Sequence, residues 1–356
     1  MDIFREQWKA IKEKMIRVVV VDDSSFMRKI LTRMLEKDSD IQVVETAANG
    51  EEAIEKIEKV KPDVVTMDIE MPVMNGIEAL KKIMATNPLP VIVLSAITEE
   101  GADITMEALN LGACDFMTKD ISDGPLGMLA KENELISKVK DVAKKKVRFL
   151  TRRLELIKRP ISFNRERRTK HEILSIGAST GGPPALQHIL TSFPQNFPVP
   201  VVIAQHMPKI FTQSFAQRLN ALSQIEIKEA EDGEPLRPGI ALIAPGDVHM
   251  GLKKNGKDVT VEFKKDTKYI YRPSVDLLMF TTAQIYDSSA IGVILTGMGN
   301  DGLVGLKELK RRNGIVIAQD EETCVVYGMP KAVINANIAD AVLPIDKISG
   351  EIIRVL

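Results

Sequence analysis

Short runs of Val, Ile and Leu alternate with segments of helical period along most of this chain, first over residues 17–117 and again from residue 172. A strand that is apolar on both faces must be covered on both, and a helix between successive strands brings the next one in parallel. The pattern predicts an α/β chain of two doubly wound parallel-sheet domains, and 356 residues is comfortable for two. The domains are placed at 15–137 and 169–356, behind an N-terminal extension (1–14) and joined by a basic linker (138–168). In such sheets chemistry lies beyond the carboxyl ends of the strands, so the residue after each apolar run is diagnostic.

In the first half, strands are expected at 17–21, 42–46, 63–67, 91–94 and 114–117. They deliver Asp22 and Asp23, then Asp68, Ser95, and Thr118 with Lys119 to one edge. Three carboxylates repel one another and need a cation, and oxygen donors with room for water suit Mg2+. An aspartate beside that cation, with an ammonium and a hydroxyl at hand, can accept a phosphoryl group. The segments Asp22-Asp-Ser-Ser-Phe-Met-Arg28, Met67-Asp-Ile-Glu-Met-Pro-Val-Met-Asn-Gly76, Leu94-Ser-Ala96 and Met117-Thr-Lys119 resemble a response-regulator receiver domain. The resemblance implies that Asp68 is phosphorylated and that Asp22, Asp23, Asp68 and the Glu70 carbonyl hold Mg2+. It also makes Ser95 and Lys119 the switch residues that sense the phosphoryl group. Asp120 departs from the family's usual proline, and the N-terminal extension is unusual for it.

Net charge is −1, yet residues 138–170 carry fourteen Lys/Arg against three acids. With no base-reading element beside it, this stretch reads as a solvated hinge and not as a nucleic-acid arm. No run of 18 apolar residues suggests membrane insertion. The first fifteen residues are charged throughout, which excludes a signal segment. Cys114 and Cys324 lie far apart, as small buried thiols of a reduced, cytoplasmic compartment would.

In the second half, strands are expected at 172–176, 200–205, 240–244, 290–295 and 314–318, with a hairpin near Lys253-Lys-Asn-Gly256. Ile173-Leu-Ser-Ile-Gly-Ala-Ser-Thr-Gly-Gly182, followed by Pro183-Pro184, breaks from a strand into a Gly-rich turn and then a helix. That turn lifts Ser179 out of the sheet edge. The next strand ends at His206, and strand 290–295 leads to Asp301. A serine needs a base to take its proton, and the base needs a carboxylate to fix its tautomer. Glycines 181, 182, 297 and 299 leave backbone N–H groups for an oxyanion hole. His249, after another strand end, competes with His206 for the base; His171 precedes the first of these strands, and His188, mid-helix, reads as structural.

Two other readings stay open on the residues alone. Gly297-Met-Gly-Asn-Asp-Gly302 is formally a dinucleotide loop, with Asp320 placed for a ribose. A non-catalytic phospho-responsive binding protein is the other.

The segments Ile176-Gly-Ala-Ser-Thr-Gly-Gly-Pro183, Ala204-Gln-His-Met-Pro208, Ala244-Pro-Gly-Asp-Val-His249 and Leu295-Thr-Gly-Met-Gly-Asn-Asp-Gly302 resemble the chemotaxis protein-glutamate methylesterases. The resemblance runs from about residue 15 to the end. It implies a methylesterase domain that hydrolyses γ-glutamyl methyl esters of chemoreceptors and deamidates receptor glutamines. Ser179, His206 and Asp301 fall on its triad, and Thr180 and Met298 on its oxyanion loops. A histidine kinase would be the phosphodonor, and a monomer without a cofactor in the catalytic domain is expected.

Overall fold

The computed structural model describes residues 15–119, 125–143, 171–265 and 268–356. They belong to two compact units, divided at residue 155. The extension 1–14, Asp120 and most of the basic stretch lie outside the described residues.

The first unit has five parallel strands in the order β2-β1-β3-β4-β5. They are β1 Ile16–Val21, β2 Ile41–Ala47, β3 Val64–Asp68, β4 Val91–Ala96 and β5 Asp115–Lys119. Val18 to Val21 are fully buried, as a central strand covered on both faces requires. Helices Ser25–Leu35, Gly50–Val60, Gly76–Thr86 and Glu99–Leu111 are each started by a side-chain cap: Ser24, Asn49, Asn75 and Thr98. β3, β4 and β5 run further at their carboxyl ends than their apolar runs suggest. Asp68 pairs in register with Leu94, and Ala96 with Lys119, because a polar residue still makes the backbone ladder. The closing helix Glu132–Ala143 buries Leu135, Val139 and Val142 and reaches into the stretch read as linker. Its half-buried Lys138 pairs with Asp115, and its Lys140 pairs with Asp38 and Asp40.

The second unit has seven parallel strands in the order β14-β13-β12-β6-β7-β9-β8. They are β6 Ile173–Ala178, β7 Val201–Gln205, β8 Glu226–Glu229, β9 Ile240–Ile243, β12 Ala290–Ile294, β13 Ile315–Gln319 and β14 Ala341–Leu343. The edge strands β8 and β14 escape the sequence reading: they are short, and Glu226-Ile-Lys-Glu229 carries no apolar run. The hairpin β10 His249–Asn255 and β11 Asp258–Lys264 packs on helix Val275–Tyr286, where Leu252 N–H donates to Thr281 Oγ1 (3.0 Å). From β6 the chain winds out through β7 to β8 and β9, then returns to the other side of β6 for β12, β13 and β14. The order therefore reverses between β6 and β12, the place where an open parallel sheet leaves a crevice. Among the described residues no helix is long and apolar enough to cross a membrane.

Candidate functional site

In the first unit the strand ends converge. Carboxylate oxygens of Asp22, Asp23 and Asp68 lie within 4.8 Å of one another. Lys119 Nζ stands 2.6 Å from Asp68 Oδ2 and 2.7 Å from Asp22 Oδ2, the latter an ion-pair distance without hydrogen-bond geometry. Burial pushes the Asp68 carboxyl up to about 6; Lys119 opposes the rise and Asp22 adds to it. A carboxylate so crowded is relieved by a hard divalent cation, and an all-oxygen donor set suits one. Glu70 is exposed, and its N–H points at Asp68 Oδ1 at 3.4 Å. Ser95 Oγ donates to the Gly101 carbonyl at 3.1 Å.

In the second unit, three adjacent strands present the residues the sequence singles out. Ser179 follows β6, His206 follows β7, and Asp301 lies in the loop after β12. Ser179 sits on a turn whose Gly181 has φ +75°, outside the range side chains favour. At Gly182 an added Cβ would stand 2.0 Å from Gln205 Oε1, so the turn packs directly on the end of β7. Gln205 Nε2 donates at 3.0 Å to both the Ser179 and the His206 carbonyls, tying the two loops together. The loop carrying Met298 lies close as well: a Cβ on Gly297 would be 2.8 Å from Ser179 Cβ, and Ser179 N–H donates to the Thr296 carbonyl (3.0 Å). Thr180 is buried, its carbonyl accepting from Thr296 Oγ1 at 2.9 Å.

His206 Nε2 donates to Asp301 Oδ2 at 2.8 Å. Oδ2 also accepts from Val275 N–H (2.8 Å). Oδ1 accepts from Asp276 N–H (2.9 Å), Gly302 N–H (3.1 Å) and Ser274 Oγ (3.2 Å). Asp301 therefore sits on the N-terminus of helix Val275–Tyr286, where N–H groups and the helix dipole favour an anion. Burial would raise its carboxyl, but the bonds from His206, Asp276 and Val275 outweigh that and hold it below the ordinary value. With Nε2 committed to the carboxylate, Nδ1 is the ring nitrogen left to take a proton. His249 is elsewhere: it opens β10, buried, edge-on to the Tyr269 ring at 5.5 Å between centroids. His171 Nδ1 bonds the Val355 carbonyl, and burial holds His188 below its ordinary value.

The dinucleotide reading is not favoured. Asp301, inside the formal loop, is engaged with His206 and a helix N-terminus. Asp320, the would-be ribose ligand, accepts from Thr323 N–H and Oγ1 within its own turn.

The sequence reading passes over three residues. Gln205 and Gln319 end β7 and β13, and Gln319 Oε1 holds Thr296 N–H at 2.8 Å; the strand-end rule that selects Asp68 selects them too. Asp276 accepts from Gly305 N–H (2.9 Å) at the start of helix Leu303–Arg311. Asp276 thus serves the helix that follows Asp301, and Asp301 serves the helix that carries Asp276.

Residues 174–352 match the profile described as CheB methylesterase, and residues 18–129 that of the response regulator receiver domain. A protein-glutamate methylesterase/protein-glutamine glutaminase of Lawsonia intracellularis is 45% identical over 356 aligned positions, 96% of this chain and 99% of the relative. A protein of the same description from Thermotoga maritima is 47% identical over 350 positions, 97% of this chain and 99% of the relative. The crystal structure of the Thermotoga maritima CheB methylesterase catalytic domain aligns with a TM-score of 0.51 at 49% identity, covering 53% of this chain and 100% of that one.

Proposed function

Because the chain belongs to the CheB methylesterase family and carries a response regulator receiver domain, we propose that it is a phosphorylation-controlled serine hydrolase. It removes γ-glutamyl methyl esters from chemoreceptors, releasing methanol, and deamidates receptor glutamines in chemotactic adaptation. The observation that carries this is the His206–Asp301 bond, made at the ends of strands that flank the strand delivering Ser179.

Ser179 Oγ attacks the ester carbonyl while His206 Nδ1 takes its proton. Asp301 keeps the Nε2–H in place and balances the imidazolium. The oxyanion is held by backbone N–H groups of the turns carrying Thr180 and Met298. His206 then returns the proton to the methoxide leaving group, and water repeats the cycle on the acyl-enzyme. An amide passes through the same oxyanion, so glutamine deamidation needs no second site.

In the receiver, Asp68 accepts a phosphoryl group from a chemotaxis histidine kinase. Asp22, Asp23, Asp68 and the Glu70 carbonyl hold Mg2+, which neutralises phosphoryl oxygens when bound. Lys119 and Ser95 read the result. In this reading the protein acts in the cytoplasm as a monomer, without nucleic-acid or membrane partners. A serine-directed fluorophosphonate tests the core of this reading. Mass spectrometry should find it on Ser179, with labelling lost in His206→Ala; label elsewhere, or labelling independent of His206, contradicts it.

A further inference from the structure

His206 touches a second side chain besides Asp301. The ring of Tyr271 lies on the face of the imidazole, with 4.6 Å between centroids and 12° between planes. Its hydroxyl reaches the loop after β12: a Cβ on Gly299, where φ is +78°, would stand 3.3 Å from Tyr271 Oη. One half-buried ring thus touches both the histidine and the loop that carries Met298 and Asp301. Tyr271 comes from the segment that ends in Ser274 and Val275, two of the donors to Asp301.

Two consequences follow. The bond to Asp301 leaves the imidazole free to swing about it, and the stack fixes the ring plane. The face of a tyrosine ring is also electron-rich and attracts a cation laid against it. His206 becomes that cation only after it has taken the Ser179 proton, so the attraction favours the transition state over the bound substrate. It should therefore appear in kcat and not in KM.

We propose that Tyr271 is a positioning residue, holding the His206 ring plane and stabilising its imidazolium. The proposal rests on the hydrolase reading above. Tyr271→Leu keeps bulk and removes the π face; it lowers kcat about 3- to 30-fold, the range such a contact provides. KM for the receptor changes by less than about twofold. Tyr271→Phe restores the face without the hydroxyl and recovers most of the loss.

The test uses the full chain, methyl-esterified chemoreceptor membranes and methanol release, with competent sites counted by fluorophosphonate titration and Ser179→Ala run in parallel. Tyr271→Met replaces Tyr271→Leu if the latter does not fold. A kcat for the Leu or Met variant within twofold of the parent overturns the proposal. So does a loss carried by KM, or a Phe variant as slow as Leu. If Ser179→Ala is inactive while the Tyr271 variants match the parent, only this inference has failed. If Ser179→Ala turns over normally, the hydrolase reading has failed with it.

Discussion

Replacing Asp301 by asparagine keeps the side chain's shape and turns on which way the amide faces. Both carboxylate oxygens meet donors: Oδ2 faces His206 Nε2 and Val275 N–H, and Oδ1 faces Asp276 N–H, Gly302 N–H and the Ser274 hydroxyl. With the NH2 in the Oδ1 place, two backbone donors lose their acceptor. In the Oδ2 place only Val275 does, because His206 can change tautomer. A buried donor without an acceptor costs about 1–3 kcal/mol, so the second orientation wins. Relief of Asp276, whose carboxyl is pushed up by burial and by the Asp301 charge, offsets part of this. A net loss of about 1–2 kcal/mol in urea melts at pH 7 is expected. In that orientation His206 Nε2 must accept, so its proton moves to Nδ1 and the ring cannot take one from Ser179. The kcat for methanol release should fall on the order of 10⁴-fold. The pH dependence has a definite sign. Asp301 is held below its ordinary 3.8, so its contribution is present above that pH and is lost as pH falls through the folded value. The stability gap between parent and Asp301→Asn should therefore narrow in acid. A kcat within tenfold of the parent, or a variant more stable than the parent at pH 7, would refute the reasoning.

Gly182→Ala places a methyl 2.0 Å from Gln205 Oε1 and must displace the amide that ties Ser179 to His206; kcat should drop about tenfold or more, on the scale of small misplacements at a catalytic centre, and an unchanged kcat would remove Gln205 from the account. Asp68→Asn should abolish activation by a small phosphodonor and leave the basal rate; continued activation, or acid-stable phosphate on a serine, counts against Asp68 as acceptor. Val73 has φ +68° and is 76% exposed, in a three-residue turn closed by Met74 N–H to the Pro72 carbonyl at 2.8 Å. Such a turn is strained for a β-branched residue, so Val73→Gly should stabilise the receiver by about 1 kcal/mol in thermal melts; a lower melting temperature would show that no strain was stored there.

The strand-end rule made much of both sites legible. Asp22, Asp68, Ser95 and Lys119 reach one edge because parallel strands all present their carboxyl ends there. Ser179, His206 and Asp301 do so because β12, β6 and β7 are neighbours. What surrounds Asp301 was not legible. Helix Val275–Tyr286 buries Val275, Leu277, Leu278, Met279, Thr281, Thr282 and Ala283. With apolar residues on so many sides it shows no amphipathic stripe, and the anion site at its start stays hidden. His206 and His249 both follow strands, and it is His206 that the fold brings against Asp301. The start of the linker was misjudged for a similar reason. Lys138 and Lys140 look like linker charge until their distant partners, Asp115, Asp38 and Asp40, are seen. Tyr271 gave no signal at all, because a stack between a loop and a strand end leaves no periodicity.

The most direct measurement is methanol release from methyl-esterified chemoreceptor membranes by the full chain, with and without a small phosphodonor and Mg2+, beside Ser179→Ala. The parent should release methanol, and faster with the phosphodonor. The Ser179→Ala protein should melt like the parent and release none above background under either condition. Methanol release by a well-folded Ser179→Ala protein at the parent's rate would contradict the account at its centre.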